Sequence, residues 1–134
     1  MRNILVLAGI AFGHLAAPAF ADTCDNAATQ SDLTACYGAA FKAADKELNA
    51  TYRQIEGRLG DDPDAKKLLV AAERAWIAFR DAECAFSASG AEGGTIYPMT
   101  VSSCQTDLTT ARTKDLTAFL HCQEGDSGCP VPAE

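Results

Sequence analysis

Between Ser31 and Leu59 the apolar and aromatic positions Leu33, Tyr37, Phe41, Ala44, Leu48, Tyr52, Ile55 and Leu59 recur every third or fourth residue, the mark of one face of a long amphipathic helix. Thr29 or Ser31 can accept a backbone N–H at its start, and Gly60-Asp61-Asp62-Pro63 stops it. Asp62 or Asp61 can cap a second helix, predicted from about Pro63 to about Phe86, where Leu69, Ala72, Trp76 and Phe79 keep helical spacing with no internal glycine or proline. The glycine-rich stretch from Ser87 to Gly94 reads as a loop. A third helix is expected from about Pro98 to His121 on a thinner apolar face of Met99, Val101, Leu108, Ala111, Leu116 and Phe119 or Leu120. The tail "QEGDSGCPVPAE" is turn-rich and is expected to be extended. No segment alternates apolar and polar residues for long enough to make a strand. The pattern therefore predicts an all-α fold, an antiparallel three-helix bundle stapled by disulfides, with an irregular C-terminal tail.

The start of the chain changes this picture. Arg2, the apolar run from Ile4 to Leu15, and Ala19-Phe20-Ala21 have the order of an export signal, so residues 1–21 are expected to be cleaved. His14 interrupts the run and a proline precedes the exit, which disfavours a membrane anchor. What remains is one helical domain over 22–121 and a tail over 122–134, with a periplasmic or secreted location. All six cysteines, Cys24, Cys36, Cys84, Cys104, Cys122 and Cys129, lie in this part, and an even count in a short exported chain is most simply a disulfide set.

Charge narrows the partners. The formal net charge is −7, and one unit more negative once Arg2 leaves. This balance argues against nucleic acid and against an anionic membrane surface, and favours a cationic partner. It also simply keeps an exported protein soluble.

Antiparallel helices bring residues equidistant from a turn to one height. Cys36 lies level with Cys84, Cys84 with Cys104, and Glu73 with Arg112, while Asp45 lies within a turn of Trp76 and Arg80. Height leaves three pairings of Cys24, Cys36, Cys84 and Cys104 open. The preferred one is Cys36 with Cys84 and Cys24 with Cys104, leaving Cys122 with Cys129. The same arithmetic gathers Asp45, Asn49, Glu73, Trp76, Arg80 and Arg112 into a structural network, since a partly buried arginine needs acceptors. Asp81 is directed roughly 100° away from Arg80 around the helix and is not expected to be its main partner.

Recognisable catalytic chemistry is missing from the sequence. After cleavage His121 is the sole histidine, so neither a Ser-His-Asp nor a Cys-His site can be built around a convincing base. There is no C-x-x-C pair for zinc or haem, and Gly93-Gly94 lacks the pattern of a phosphate-binding loop. The expectation is a binding protein with no enzymatic activity, no cofactor and no metal.

Cys24, Thr29-Gln30, Cys36, "ADKELNATY" from Ala44, "AERAWIAFRDAEC" from Ala72, "GGT" at Gly93, Cys104 and "TTARTKDL" from Thr109 follow one another as in the LprI-like lysozyme inhibitor domain, which this chain resembles over about residues 23–120. The resemblance implies a small, exported, disulfide-stabilised helical domain and, for some members, inhibition of host-type lysozyme. Glu73 stands where that family commonly has glutamine, and Cys122 and Cys129 are additional to its usual set. On this basis the expected partner is a lysozyme or another cationic envelope protein, met through the loop from Ser87 to Tyr97, with Glu92 and Tyr97 as contact residues. The alternative is a non-inhibitory cell-envelope interaction module.

Overall fold

The computed structural model describes residues 24–133, so the export signal and its cleavage site fall outside the described residues. Three helices form in the expected places: α1 Gln30–Arg58, α2 Pro63–Ser87 and α3 Tyr97–Phe119. A short 3-10 turn, Ser89–Ala91, lies inside the α2–α3 connection.

The boundaries have local causes. Thr29 is in extended conformation and its hydroxyl accepts from the backbone N–H of Asp32 at 3.1 Å, satisfying one of the first-turn donors of α1. Gly60 takes a φ of 55°, which only a residue without Cβ adopts readily, and its N–H closes onto the Gly57 carbonyl. Asp62 then caps α2 by accepting from the Ala65 N–H at 2.9 Å, with Pro63 in the first turn, where its missing N–H costs nothing.

At their first turns α1 and α3 meet through Gln30 and Met99, and at their far ends Arg58 donates to the Leu120 carbonyl. These two helices are therefore parallel, and α2 runs back between their ends, antiparallel to both. The contact of α1 with α3 is the most extensive in the fold, and α2 packs on α3 over a smaller area. The apolar core of Leu48, Ile55, Leu59, Leu116, Cys122 and Val131 sits at the α1–α2 turn end.

Three expectations are corrected. The disulfides pair Cys24 with Cys36 and Cys84 with Cys104, not Cys36 with Cys84 and Cys24 with Cys104; Cys122–Cys129 is as expected. Equal height was satisfied by more than one pairing, and the segment before α1 folds back so that Cys24 bonds to its own helix at Cys36. The tail is irregular but not extended: Val131 is buried in the core, and Arg58 donates to the carbonyl of Pro132. Finally, Phe79 is not a core residue. It is 54% exposed, because α2 turns Glu73, Arg80 and Cys84 inward, and these share one helix face.

Candidate interaction site and the polar network

On α3 the interior face carries hydroxyls rather than a full apolar stripe. Thr106, Thr113 and Thr117 each return their hydroxyl to the carbonyl four residues earlier, at 2.8, 2.9 and 2.8 Å. Thr109 is fully buried and accepts from Arg80 Nη1 at 3.5 Å. A polar interior of this kind can receive arginines, and α2 supplies one while α3 itself supplies the other.

Arg80 is buried, and its nearest acceptor is Asp81, reached from both Nε and Nη2 at 2.9 Å. Asp45, expected within a turn of Arg80, stands at 3.5 Å from Nη1. The expectation that Asp81 would be directed away fails because the guanidinium lies at the end of a long side chain and reaches back to the neighbouring position. Gln105 of α3 donates to the same Asp81 oxygen at 3.1 Å, so Asp81 ties α2 to α3. The Arg80 guanidinium also lies 5.0 Å from the Phe41 ring centroid and 5.3 Å from that of Trp76, both within cation–π range.

Arg112 donates to Glu73 Oε2 from Nε at 3.1 Å and from Nη2 at 3.0 Å, and its guanidinium lies 5.9 Å from the Trp76 ring centroid. Trp76 thus has two guanidinium groups within cation–π range. The Glu73 side chain is only 10% exposed, and its Oε1 finds no hydrogen-bond partner among the described residues. Asn49 turns back to Asp45, donating to its carbonyl at 2.7 Å and to Oδ2 at 3.0 Å, so it braces Asp45 and does not cross to another helix. A cavity of about 480 Å³ opens between α1 and α2 beside these groups, lined among others by Asp45, Asn49, Tyr52, Glu73 and Arg74. Burial pushes the Tyr52 hydroxyl above its ordinary pKa, and the nearby Glu56 and Glu73 carboxylates push it the same way.

The two loop residues singled out by the sequence stand at opposite ends of a short stretch. Glu92 is exposed and closes the 3-10 turn by donating its N–H to Ser89. Tyr97 begins α3, donates its N–H to the Gly94 carbonyl at 3.3 Å and is half-buried. Ile96 beside it is more exposed. The polar network lies along the bundle, away from this connection in sequence, and its side chains hold one another instead of lining a reaction centre. Sequence reasoning missed the exposed Leu68, Phe79 and Phe86, because isolated apolar positions on an alanine-rich helix look alike whichever way the helix turns.

The fold and the network define a class: a small three-helix domain closed by disulfides, with paired arginines in its interior. The model of the family described as lysozyme inhibitor LprI matches residues 22–116, and the chain belongs to that family. An uncharacterized protein of Rhizobium meliloti (strain 1021) is 38% identical over 112 residues, spanning 75% of this chain and 81% of that protein. The crystal structure of a DUF1311 family protein from Pseudomonas putida KT2440 superposes with a TM-score of 0.63 at 26% identity, covering 69% of this chain and 95% of that one. No helix among the described residues is long and apolar enough to cross a membrane.

Proposed function

We propose that this protein inhibits a cationic lysozyme in the periplasm or outside the cell by occupying its substrate cleft. The observation that carries the reading is membership of a family described as lysozyme inhibitors. The acidic composition supports it, since a net charge of −7 accelerates encounter with a cationic enzyme. The connection between α2 and α3 is the contact element. It projects from a disulfide-braced end of the bundle, where Cys84 and Cys104 fix both helices beside it, so a rigid scaffold presents a short loop.

Within that loop Glu92 steers and Tyr97 anchors. Buried aromatic contacts dominate many interfaces, whereas exposed charges act mainly on association. Binding kinetics against an animal-type lysozyme separate the two roles. Tyr97→Ala speeds dissociation about tenfold or more, in line with the loss of a hot-spot side chain. Glu92→Gln slows association at low salt and loses its effect as salt is added. Binding that neither variant alters assigns the contact to another surface; absence of binding to any lysozyme leaves a non-inhibitory envelope module.

A further inference from the structure

Leu68, Ala72, Ala75, Phe79, Ala82 and Phe86 of α2 follow one another at alternating steps of four and three, the seam spacing of a two-helix coiled coil. All six are exposed: Leu68 to 71%, Phe79 to 54%, Phe86 to 77%, and the alanines with them. Ala71, Ala78 and Ala85, also exposed, widen the strip without adding a charge. It runs about 27 Å along the side of α2 opposite to the inward-facing Glu73, Arg80 and Cys84. The six seam positions carry no charge, and Glu83, exposed at the edge of the strip between Phe79 and Phe86, is the charged residue that borders them most closely.

We infer that this strip is the interface of a homodimer in which α2 pairs antiparallel with α2 of a second copy, about a two-fold axis that crosses the seam at the height of residue 77. Three observations select that occupant. The first is self-complementarity. Around residue 77, Phe79 falls opposite the second copy's Ala75 and Ala82 opposite its Ala72, so a large side chain meets a small one and alanines meet where the backbones approach. The pairs also join a to d seam positions throughout, which is the layer pattern of antiparallel helices.

The second observation is a recess in register with a protruding ring. An apolar cavity of about 310 Å³ opens at the Leu68 end of the strip, lined by Leu68, Leu69, Ala72, Phe119 and Val131 among others. In the antiparallel pairing it faces the second copy's Phe86, the most exposed large apolar side chain of the described residues. The two-fold axis makes the insertion reciprocal. A parallel pairing would set Phe86 against Phe86 and leave both recesses empty.

The third is area. Leu68, Phe79 and Phe86 each expose on the order of 100 Å² or more, and with roughly 40 Å² from each alanine the strip comes to about 600 Å² per copy. Two copies would bury about 1,200 Å², which reaches the lower range of specific dimers.

Sedimentation equilibrium on the exported, oxidised protein tests the inference. The expected mass is that of two chains at micromolar concentration. Ala75→Glu sets a carboxylate against Phe79 of the second copy at a position exposed in its own fold, and is expected to give the mass of one chain with an unchanged helical circular dichroism spectrum. Cysteine cross-linking reads the orientation. On oxidation Ala78→Cys, about 3 Å along the axis from its mate, links two chains, whereas Ala71→Cys, about 18 Å from its mate, does not. A single-chain mass up to about 1 mM, a two-chain mass that Ala75→Glu leaves intact, or cross-linking at both positions overturns the proposal. So does a strip that binds lysozyme instead, seen as loss of lysozyme binding in Ala75→Glu while the parent protein stays a single chain.

Discussion

Arg112 and Arg80 both bring a guanidinium into the bundle, but removing each would leave a different residue behind. Arg112→Met strands Glu73, whose side chain is only 10% exposed and whose second oxygen already lacks a partner among the described residues. Breaking such a pair is expected to cost about 3–5 kcal/mol, most of it the burden of an uncompensated buried carboxylate. Arg80→Met instead releases Asp45 and Asp81, which are 43% and 51% exposed and can be rehydrated where they stand. Its expected cost is about 1–2 kcal/mol, largely the lost stacking on Phe41 and Trp76 and the lost bond to Thr109. Urea unfolding checks the order of the two, and adding Glu73→Gln to Arg112→Met should recover part of the loss by removing the charge. Tyr52 provides a pH test. Its folded-state pKa is raised from the ordinary value of 10.0, first by burial and then by Glu56 and Glu73. The folded state therefore holds this proton more tightly, so the contribution of Tyr52 is fully present below pH 10 and is lost as pH rises from there through the folded pKa. Thermal melts of the parent and Tyr52→Phe above that pH should show a shallower decline in the variant.

At the level of elements, the helix ends were legible in the sequence because each has a chemical stop or start: Thr29, Gly60, Asp62 with Pro63. The rotation of α2 about its axis was not. Leu69, Ala72, Trp76 and Phe79 define one plausible inner face, and Glu73, Arg80 and Cys84 define another. On an alanine-rich helix the apolar pattern decides weakly between them, and the Cys84–Cys104 bond with the Arg80 and Glu73 contacts selects the second. That choice exposes Phe79. The network itself was legible in its membership, since Asp45, Asn49, Glu73, Trp76, Arg80 and Arg112 do meet or brace one another. Its nearest ion pair, Arg80 with Asp81, was not, because helical geometry fixes where a Cβ points and leaves a long side chain free to turn back. The Cys84–Cys104 bond spans 20 residues, and closing a loop of that size in the unfolded chain is worth about 3 kcal/mol. Replacing both with alanine should lower the unfolding free energy by about that amount, read from urea unfolding. It should also loosen the end of the bundle that carries the α2–α3 connection, seen as faster amide exchange at Gly93 and Gly94.

For the molecule as a whole, the family was legible from an ordered set of short motifs, none of which is distinctive alone, and the family model matches residues 22–116. The contact surface is a different matter: Glu92 and Tyr97 stand out by chemistry and loop position, and those properties do not report how a side chain meets a partner. The interior is taken up by Arg80 and Arg112 with their partners, and both proposals therefore rest on the outside of the molecule: the connection between α2 and α3 for lysozyme, and the outer face of α2 for a second copy. The inhibitory claim is tested most directly by titrating the oxidised protein into a cationic animal-type lysozyme and following the clearing of a bacterial cell-wall suspension. The account predicts that clearing slows in proportion to inhibitor added, stops near one binding loop per enzyme, and recovers when salt is raised. Undiminished clearing at a large excess of inhibitor, at low salt and with the disulfides intact, would contradict it.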